Sequence, residues 1–258
     1  MEQKKVTQAF LLGAGLGTRL RPLTDTVPKV MIPIDDAGKP LLLHSIEWLR
    51  DHGITDFVVN LHHLPQVITS YFGDGKKWGV HIAYSDETGQ LLETGGAFRK
   101  AEPLLHDNFL FMYGDELHLV DPQPLIAAHG ARPDALATIV LKTSDIPANG
   151  EIADFDATTR RITRWQTRPH TITEYTPTRM LNAGLYVFSK RILDYIPPNA
   201  HIKLDGEVIP KAFAAGEALY AFPTSEPILD TGTPEKYEIA KQYYREWAGE
   251  KDVSLERA

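Results

Sequence analysis

The feature that most constrains the fold of this chain is an apolar run near its start that leads directly into a glycine-rich turn. The run covers Ala9–Leu12, and residues 13–19 read Gly-Ala-Gly-Leu-Gly-Thr-Arg. The run has strand character, and the N–H groups of such a turn can surround phosphate oxygens. Arg19 adds a planar guanidinium that can bridge phosphates, and Lys29 adds a compact positive charge that suits a single oxygen. The opening therefore predicts a strand whose carboxyl end binds a nucleoside triphosphate.

The glycines by themselves have a second explanation, because a tight turn after a strand favours glycine for its backbone freedom. Their order also differs from two common phosphate-binding motifs. No Lys-Ser/Thr pair closes the loop as in a Walker motif, and Thr18-Arg19-Leu20 stands where a dinucleotide-binding fingerprint has its last glycine. Pro22 disfavours a long helix directly after the turn.

The first half of the chain alternates strand and helix patterns. We predict strands at residues 9–12, 54–61, 80–84 and 108–113, and helices at 40–52, 94–105 and 122–129. Strands separated by helices form a mostly parallel sheet with both faces covered, and its ligands bind outside the carboxyl ends of the strands. The glycine-rich turn and Asp115 both follow such strand ends.

The second half is richer in strands and predicts a more antiparallel portion. Its predicted strands are at 135–141, 151–155, 162–165 and 185–188, and its predicted helices at 192–195, 206–215 and 235–247. The predicted fold is α/β, a Rossmann-like, mixed but mostly parallel sheet flanked by helices. We expect one domain over residues 1–258, with one half to about residue 135, the other over about 136–248, and a frayed tail at 249–258.

Composition excludes several kinds of partner and site. The formal net charge is −7 at pH 7, whereas a nucleic-acid backbone calls for a basic face, so no nucleic-acid partner is predicted. The sequence has no cysteine, which excludes disulfides and thiolate metal sites. Neither a secretory leader nor a run long enough to cross a bilayer is visible, so we expect no membrane partner and a cytoplasmic location.

Two aspartates are candidates for a metal site. Asp115 follows the apolar strand 108–113 at the sheet edge where the glycine-rich turn also opens, and Mg²⁺ prefers one or two carboxylates together with phosphate oxygens and water. A turn aspartate that accepts backbone N–H groups is the alternative. Asp230 precedes a predicted helix start, with Thr233 as the cap and Pro234 at the first position, and that helix start leaves the role of Asp230 open.

The opening closely resembles the signature of the sugar-1-phosphate nucleotidylyltransferases once Pro22-Leu23-Thr24 and Pro28-Lys29 are included. Tyr113-Gly114-Asp115 and the run Leu-Asp-Thr-Gly-Thr-Pro at 229–234 are similar to two later elements of that family, so the resemblance spans nearly the whole chain. It implies transfer of a nucleotidyl group from a nucleoside triphosphate to a sugar-1-phosphate, which gives a nucleotide sugar and pyrophosphate. It also implies that both aspartates would ligate Mg²⁺ as the cofactor.

Candidate site residues follow from the turn and from this resemblance. The catalytic candidates are two cations and a carboxylate: Arg19, Lys29 and Asp115. The nucleotide-binding candidates are the turn and a later segment of small residues: Leu12, Gly13, Ala14, Gly15, Gly17, Thr18, Glu93, Thr94, Gly95 and Gly96. For the later segment, a helix cap at Thr94 followed by closely packed glycines is the structural alternative. The smaller, more antiparallel portion would bind the sugar phosphate through Gly150, Arg168 and Asn182, and the metal candidates are Asp115 and Asp230.

One position departs from the family pattern. Where the family usually has Glu-Lys-Pro on the sugar-phosphate side, this chain has Thr167-Arg168-Pro169. The cation is kept, and an arginine can bind a phosphate through two N–H groups, but the carboxylate is lost. A solvated arginine in an arginine-rich stretch is the alternative.

Two signals about the base and the sugar conflict. Residues 182–197 look more like mannose- or heptose-1-phosphate guanylyltransferases, whereas residues 60–64, 72–75 and 92–96 look more like N-acetylmuramate-1-phosphate uridylyltransferases. We favour GTP with mannose- or heptose-1-phosphate, and uridylyl or another nucleotidylyl transfer is the alternative. The alternative from another class is an inactive regulatory protein that binds a nucleotide sugar. A homo-oligomer is compatible with the sequence.

Overall fold

The computed structural model describes residues 6–143 and 150–255, with side chains described as far as Gly249. The strands are β1 (Gln8–Leu12), β2 (Asp56–Leu61), β3 (His81–Asp86), β4 (Asn108–Tyr113), β5 (Glu116–His118), β6 (Ala135–Lys142), β7 (Ile152–Phe155), β8 (Ile162–Gln166), β9 (Arg179–Ser189), β10 (Ala218–Pro223) and β11 (Ile228–Asp230). The α-helices are α1 (Leu41–Asp51), α2 (Pro65–Phe72), α3 (Glu93–Ala101), α4 (Pro122–Gly130), α5 (Ile209–Ala214) and α6 (Pro234–Leu255). None of the helices in these ranges has the length and apolar character needed to cross a membrane.

The main sheet runs in the order β10-β6-β9-β4-β1-β2-β3. Strand β1 is parallel to both β2 and β4, and β3 is parallel to β2. Strand β9 is antiparallel to both β4 and β6, while β10 is parallel to β6. Strands β7 and β8 form an antiparallel pair that continues from β9. The predicted α/β fold, with a mostly parallel first half and a more antiparallel second half, is confirmed.

The central strands are buried on both faces because their side chains alternate between two apolar layers. In β4, Phe109 and Phe111 belong to one layer, and Leu110 and Met112 belong to the other. Helices α3 and α5 cover the first layer, and α1, α2 and α4 cover the second. This double burial explains why the strand appears in the sequence as an uninterrupted apolar run.

Several elements differ from the sequence predictions. Strand β10 was not predicted, because its six residues include two alanines and a final proline. Helix α2 was not predicted, because it has only two turns. The three-residue strands β5 and β11 are too short for a periodic pattern. Strand β9 begins at Arg179 and not at Leu185, because residues 179–181 pair with β7.

The helices of the second half also differ in type and length. The helix predicted at 192–195 is a 3₁₀ helix over Lys190–Tyr195, and the one predicted at 206–215 begins as a π-helical turn over Leu204–Val208 before α5. Helix α6 continues to Leu255, where we expected a frayed tail from residue 249. Residues 256–258 of that expected tail lie outside the described ranges.

Candidate active site

Three loops meet at the carboxyl ends of β1 and β4. The glycine-rich turn follows β1, Gly114–Asp115 follow β4, and the loop after β11 lies beside them because Asp230 pairs with Glu116 of β5. The N–H of Gly114 donates to Leu12 O at 3.1 Å, which joins the two parallel strand ends directly. The fold therefore brings together turns that are far apart in the sequence.

The glycine-rich turn is anchored at its first glycine and at Gly17. The N–H of Gly13 donates to Asn60 Oδ1 at 2.6 Å, and the hydroxyl of Thr24 donates to Gly17 O at 2.7 Å. Gly17 has a φ of +63°, and a Cβ there would lie 2.8 Å from Thr24 Cγ2. The turn thus requires glycine at position 17 both for its backbone angle and for its packing.

The residues between these anchors carry unused hydrogen-bond donors. In the part of the chain that the structure describes, the N–H groups of Ala14, Gly15, Leu16 and Gly17 meet no protein acceptor. Gly15 and Leu16 are exposed, as are Thr18 and Arg19 on the following 3₁₀ turn. Successive unpaired N–H groups in a turn are the arrangement that binds an anion.

Each of the two predicted cations lies at a segment that carries a predicted carboxylate. Lys29 is buried on a 3₁₀ turn over Lys29–Met31, and its Nζ forms an ion pair with Asp115 Oδ2. The Asp115 side chain is 35% exposed, so its carboxylate remains accessible. Arg19 lies against the loop after β11, since a Cβ on Gly232 would be 2.9 Å from Arg19 Nη2.

Asp230 is held in the same cluster by two contacts of its carboxylate and by one contact of the residue that follows it. Its Oδ1 accepts from the N–H of Gly232 at 2.6 Å, and its Oδ2 pairs with Lys236 Nζ at 2.7 Å. The hydroxyl of the next residue, Thr231, donates to Asp115 O at 2.7 Å. Burial raises the pKa of Asp230, but the hydrogen bond and charge of Lys236, the Gly232 N–H and Lys29 outweigh it, so the pKa is lowered. Asp230 is therefore an ionised carboxylate at neutral pH.

The start of α6 explains why sequence analysis missed Lys236. The predicted helix start is present, with Pro234 as the first residue and the N–H of Lys236 3.4 Å from Thr233 Oγ1. This first turn carries the Lys236 side chain back to Asp230. The only signal in the sequence is a lysine in the first turn of a helix that follows an aspartate, which many surface helices share.

The segment 93–96 packs against the loop before α5. The N–H groups of Gly95 and Gly96 both point to Ile202 O, at 2.8 and 3.3 Å, so neither is available to a ligand. The cap predicted as an alternative at Thr94 is wrong, because the Thr94 hydroxyl accepts from the N–H of Leu204 at 2.8 Å and Leu92 precedes the helix without a side-chain cap. Glu93 has a φ of +62°, an unusual backbone angle for a residue with a side chain.

The predicted sugar-phosphate residues are brought together by Glu151, which sequence analysis did not select. Arg168 Nε lies 3.2 Å from Glu151 Oε1, and the N–H of Asn182 donates to Glu151 O at 2.8 Å. Gly150 precedes this glutamate and its carbonyl accepts from His170 Nε2 at 2.8 Å. Glu151 is only 8% exposed, whereas the Arg168 side chain is 54% exposed. The residue directly before β7 thus gives Arg168 the carboxylate partner that position 167 lacks.

A second missed residue, Asp205, connects Asn182 of this cluster to the end of β4 through two tyrosines. Its carboxylate accepts from the hydroxyls of Tyr113 and Tyr186, each at 2.6 Å, and Asn182 Nδ2 donates to the Tyr186 hydroxyl. Tyr113 is the residue before Gly114. Burial raises the pKa of Asp205 to about 6, although the hydrogen bonds from the two tyrosines oppose the rise.

We expect Asp205→Asn to reduce the dependence of stability on pH. The folded-state pKa of Asp205, about 6, lies above its ordinary value of 3.8, so the folded chain binds this proton more tightly than the unfolded chain. The contribution of Asp205 to the free energy of unfolding is therefore present in full below about pH 4. About 3 kcal/mol of that free energy is lost as the pH rises through 6. Urea unfolding at pH 4 and pH 7.5 should show the variant gaining stability relative to the original chain by about that amount.

The exposed Glu174→Gln serves as the matched control for this measurement. Glu174 is not among the partners of Asp205, so this variant shows the effect of removing a carboxylate without disturbing the contacts to Tyr113 and Tyr186. An equal pH dependence in Asp205→Asn and the original chain would contradict the assignment of the raised pKa to Asp205.

Asp115 and Asp230 fit Mg²⁺ by type of ligand, because this ion takes one or two carboxylates and completes its shell with phosphate oxygens and water. In the described ranges no group of three or more His, Asp or Glu side chains could hold a metal without other ligands. Each carboxylate also forms an ion pair with a lysine: Asp115 with Lys29 and Asp230 with Lys236. A cation here would therefore draw most of its ligands from a bound phosphate compound.

Solved structures with the same architecture define the class of fold. HddC from Yersinia pseudotuberculosis superposes with a TM-score of 0.75 at 24% identity, over 93% of this chain and all of that chain. A Bacillus anthracis protein provisionally assigned as a glucose-1-phosphate thymidylyltransferase gives a TM-score of 0.79 at 20% identity, over 92% of this chain and 95% of that one. At these identities the likeness establishes the fold, a Rossmann-like mixed sheet flanked by helices.

The chain belongs to the nucleotidyl transferase family, whose sequence profile matches residues 8–246. It is 34% identical over 244 residues to a UTP–glucose-1-phosphate uridylyltransferase of Synechocystis sp. and 31% identical over 230 residues to a mannose-1-phosphate guanylyltransferase of Mycobacterium tuberculosis. Each comparison covers 89% of this chain, and the chain spans 61% and 62% of the length of those relatives. The family predicted from the sequence is confirmed.

Proposed function

We propose that this chain is a sugar-1-phosphate nucleotidylyltransferase. A phosphate oxygen of the sugar-1-phosphate forms a bond to the α-phosphorus of a nucleoside triphosphate, the bond from that phosphorus to the β-phosphate oxygen breaks, and pyrophosphate leaves. The observation that supports this most is the meeting of the unpaired N–H groups of residues 14–17 with Arg19, Lys29, Asp115 and Asp230 at one sheet edge.

The proposed mechanism relies on alignment and on neutralising charge. The N–H groups of the turn and the Arg19 guanidinium bind the β- and γ-phosphates, and Lys29 stabilises charge at the α-phosphate. The attacking phosphate is ionised at neutral pH, so the reaction needs no general base, and holding the reactants in line supplies much of the rate. Asp115 and Asp230 would hold Mg²⁺, which neutralises negative charge on the departing pyrophosphate when it is bound.

The sugar side is proposed to use the paired Arg168 and Glu151. Arg168 binds the phosphate of the sugar-1-phosphate, and Glu151 holds that side chain in place through Nε. Asn182 and Gly150 border the same contact. In this assignment Glu151 supplies the carboxylate that the usual Glu-Lys-Pro pattern of the family places next to its lysine.

For the substrates we propose GTP with mannose- or heptose-1-phosphate. Support comes from residues 182–197 and from relatives named mannose-1-phosphate guanylyltransferase in both bacteria and fungi. Uridylyl transfer is the alternative, because residues 60–64 and 92–96 favour it and the Synechocystis relative is named a uridylyltransferase. N-acetylmuramate-1-phosphate or another sugar-1-phosphate would then be the acceptor. Cytoplasmic location, homo-oligomer formation and the absence of nucleic-acid and membrane partners stay predictions.

Pyrophosphate release tests this proposal. Purified protein is mixed with each of GTP, UTP, ATP, CTP and dTTP and with mannose-, heptose-, glucose- or N-acetylmuramate-1-phosphate, with Mg²⁺ or with EDTA. We expect release only with Mg²⁺ and only in pairs that contain the correct base and sugar, with the nucleotide sugar identified by mass spectrometry. Binding of a nucleotide sugar without any turnover across the panel would favour the inactive regulatory protein.

A further inference from the structure

A buried polar pair lies beneath the glycine-rich turn. Asn60, at the end of β2, and Glu87, just after β3, are each 1% exposed. A buried carboxylate is unfavourable unless hydrogen bonds replace the water that it loses. Glu87 is satisfied in this way, and its partners connect two separate loops of the candidate site.

The pair forms one continuous chain of hydrogen bonds. The N–H of Gly13 donates to Asn60 Oδ1 at 2.6 Å, and Asn60 Nδ2 donates to Glu87 Oε1 at 2.8 Å. The N–H of Leu92 donates to Glu87 Oε2 at 3.1 Å. The N–H of Glu87 itself donates to Leu61 O at 2.7 Å, which fixes the glutamate backbone to β2. Gly13 begins the turn with the unpaired N–H groups, and Leu92 immediately precedes the segment 93–96.

We infer that Asn60 and Glu87 are positioning residues that hold the triphosphate-binding turn and the segment 93–96 in register with each other. The inference rests on the proposed function, which places the glycine-rich turn on the triphosphate, and on the prediction from the sequence that residues 93–96 contact the nucleotide. Neither side chain would touch the substrate. Each acts through the backbone, Asn60 on Gly13 and Glu87 on Leu92.

The chemistry of the pair explains why position 87 carries a carboxylate. Two donors, Asn60 Nδ2 and the Leu92 N–H, arrive at two different oxygens of Glu87. A glutamine has one oxygen and one NH₂ group, so its oxygen could accept from only one of these two donors. Its NH₂ group would then face the other donor, and no hydrogen bond could form there. Burial raises the pKa of Glu87 and the two hydrogen bonds lower it, with burial the larger effect.

Exchanging the two functional groups provides a test with a built-in rescue. Glu87→Gln alone leaves two donors facing each other, and Asn60→Asp alone leaves two carboxylates facing each other. In the double variant N60D/E87Q, the new carboxylate at position 60 accepts from Gly13 and from the new amide at position 87, whose oxygen accepts from Leu92. All three hydrogen bonds and the net charge of the pair are then restored.

Binding of GTP and UTP with Mg²⁺ is measured by calorimetry, and Michaelis constants are measured for the triphosphate and the sugar phosphate. We expect each single variant to weaken triphosphate binding by about 10-fold to 100-fold, because a hydrogen bond to a charged group is lost. The KM for the sugar-1-phosphate should stay nearly unchanged, and the double variant should bind the triphosphate within a few-fold of the original chain. Glu102→Gln, on the 3₁₀ turn after α3, is the control, because this glutamate has a side chain that is 43% exposed and pairs with Arg99.

The outcomes separate this inference from the proposed function. If the original chain binds neither triphosphate, the proposed function fails. Hydrogen exchange of the amides at 13–17 and 92–96 then tests, without any ligand, whether Asn60 and Glu87 hold these two segments in place. Faster exchange in each single variant, with recovery in the double variant, supports the pair. Unchanged binding and exchange in Glu87→Gln, or a double variant as impaired as the single ones, overturns it. If the single variants do not fold, a double variant that folds and binds supports the pair and one that fails to fold overturns it.

Discussion

Lys29→Met is expected to lower kcat by about 100-fold or more, because it removes a fixed positive charge from the α-phosphate while keeping an apolar stem in the same buried space. Asp115→Asn should lower kcat by a similar factor if the carboxylate holds Mg²⁺. Both variants should stay folded, since the Asp115 side chain is partly exposed and methionine suits the buried position of Lys29. Steady-state pyrophosphate release, together with circular dichroism of the same samples, measures both effects.

Lys76→Met is the matched control for Lys29→Met. Lys76 also forms an ion pair with an aspartate, Asp74, but its side chain is 87% exposed on the loop between α2 and β3. This variant should keep its full kcat. A folded Lys29→Met protein with kcat within a few-fold of the original would contradict the role of Lys29, and the same result for Asp115→Asn would remove the metal assignment.

Gly96→Ala is expected to destabilise the fold by about 1–3 kcal/mol or more, because there is no space for a methyl group. A Cβ at this position would lie 2.2 Å from Ala200 O and 2.7 Å from Leu92 Cβ, so the loop before α5 or the start of α3 would have to move. Alanine improves helix propensity by about 1 kcal/mol over glycine, so any net loss of stability measures the steric conflict. Urea unfolding gives the free energy.

Gly89→Ala provides the comparison, since no atom lies within 4 Å of a Cβ built there. It should leave stability within about 0.5 kcal/mol, as for most surface changes. Equal stability of the two alanine variants would contradict the prediction, because it would show that α3 and residues 200–202 can move apart at little cost in free energy. If Gly96→Ala is destabilised and still folded at the assay temperature, its affinity for the triphosphate should fall as well, because Leu92 and Glu93 move with it.

Sequence patterns predicted the elements whose environment is uniform along the chain. β1, β4 and β6 are buried on both faces, so their apolar runs were visible. β10 and the first part of β9 become strands through pairing with distant partners, and no local period encodes that pairing. For the same reason the glycine-rich turn could be predicted from its own sequence, whereas the side chain that anchors it, Asn60 on a neighbouring strand, could not.

The candidate site divides in the same way. Arg19, Lys29, Asp115 and Asp230 stand in motifs of the family and were found together in space, although their roles stay proposals. The residues that sequence analysis missed act through other side chains or through the backbone: Asn60, Glu87, Glu151, Asp205 and Lys236. Their importance depends on which strand ends become neighbours, and the sequence of any one segment contains no information about that.

Strand β9 restricts motion between the two parts of the main sheet. Its residues 185–189 pair with β4, and its residues 181, 182 and 186–188 pair with β6, so the strands on its two sides share one continuous backbone network, which opposes a hinge motion between them. In the proposed reaction, substrate entry and pyrophosphate exit would then use small displacements of exposed residues such as Gly15, Leu16, Thr18 and Arg19. Spin labels placed on β2 and β10 should therefore keep the same separation throughout turnover, while a label on the exposed turn changes its mobility.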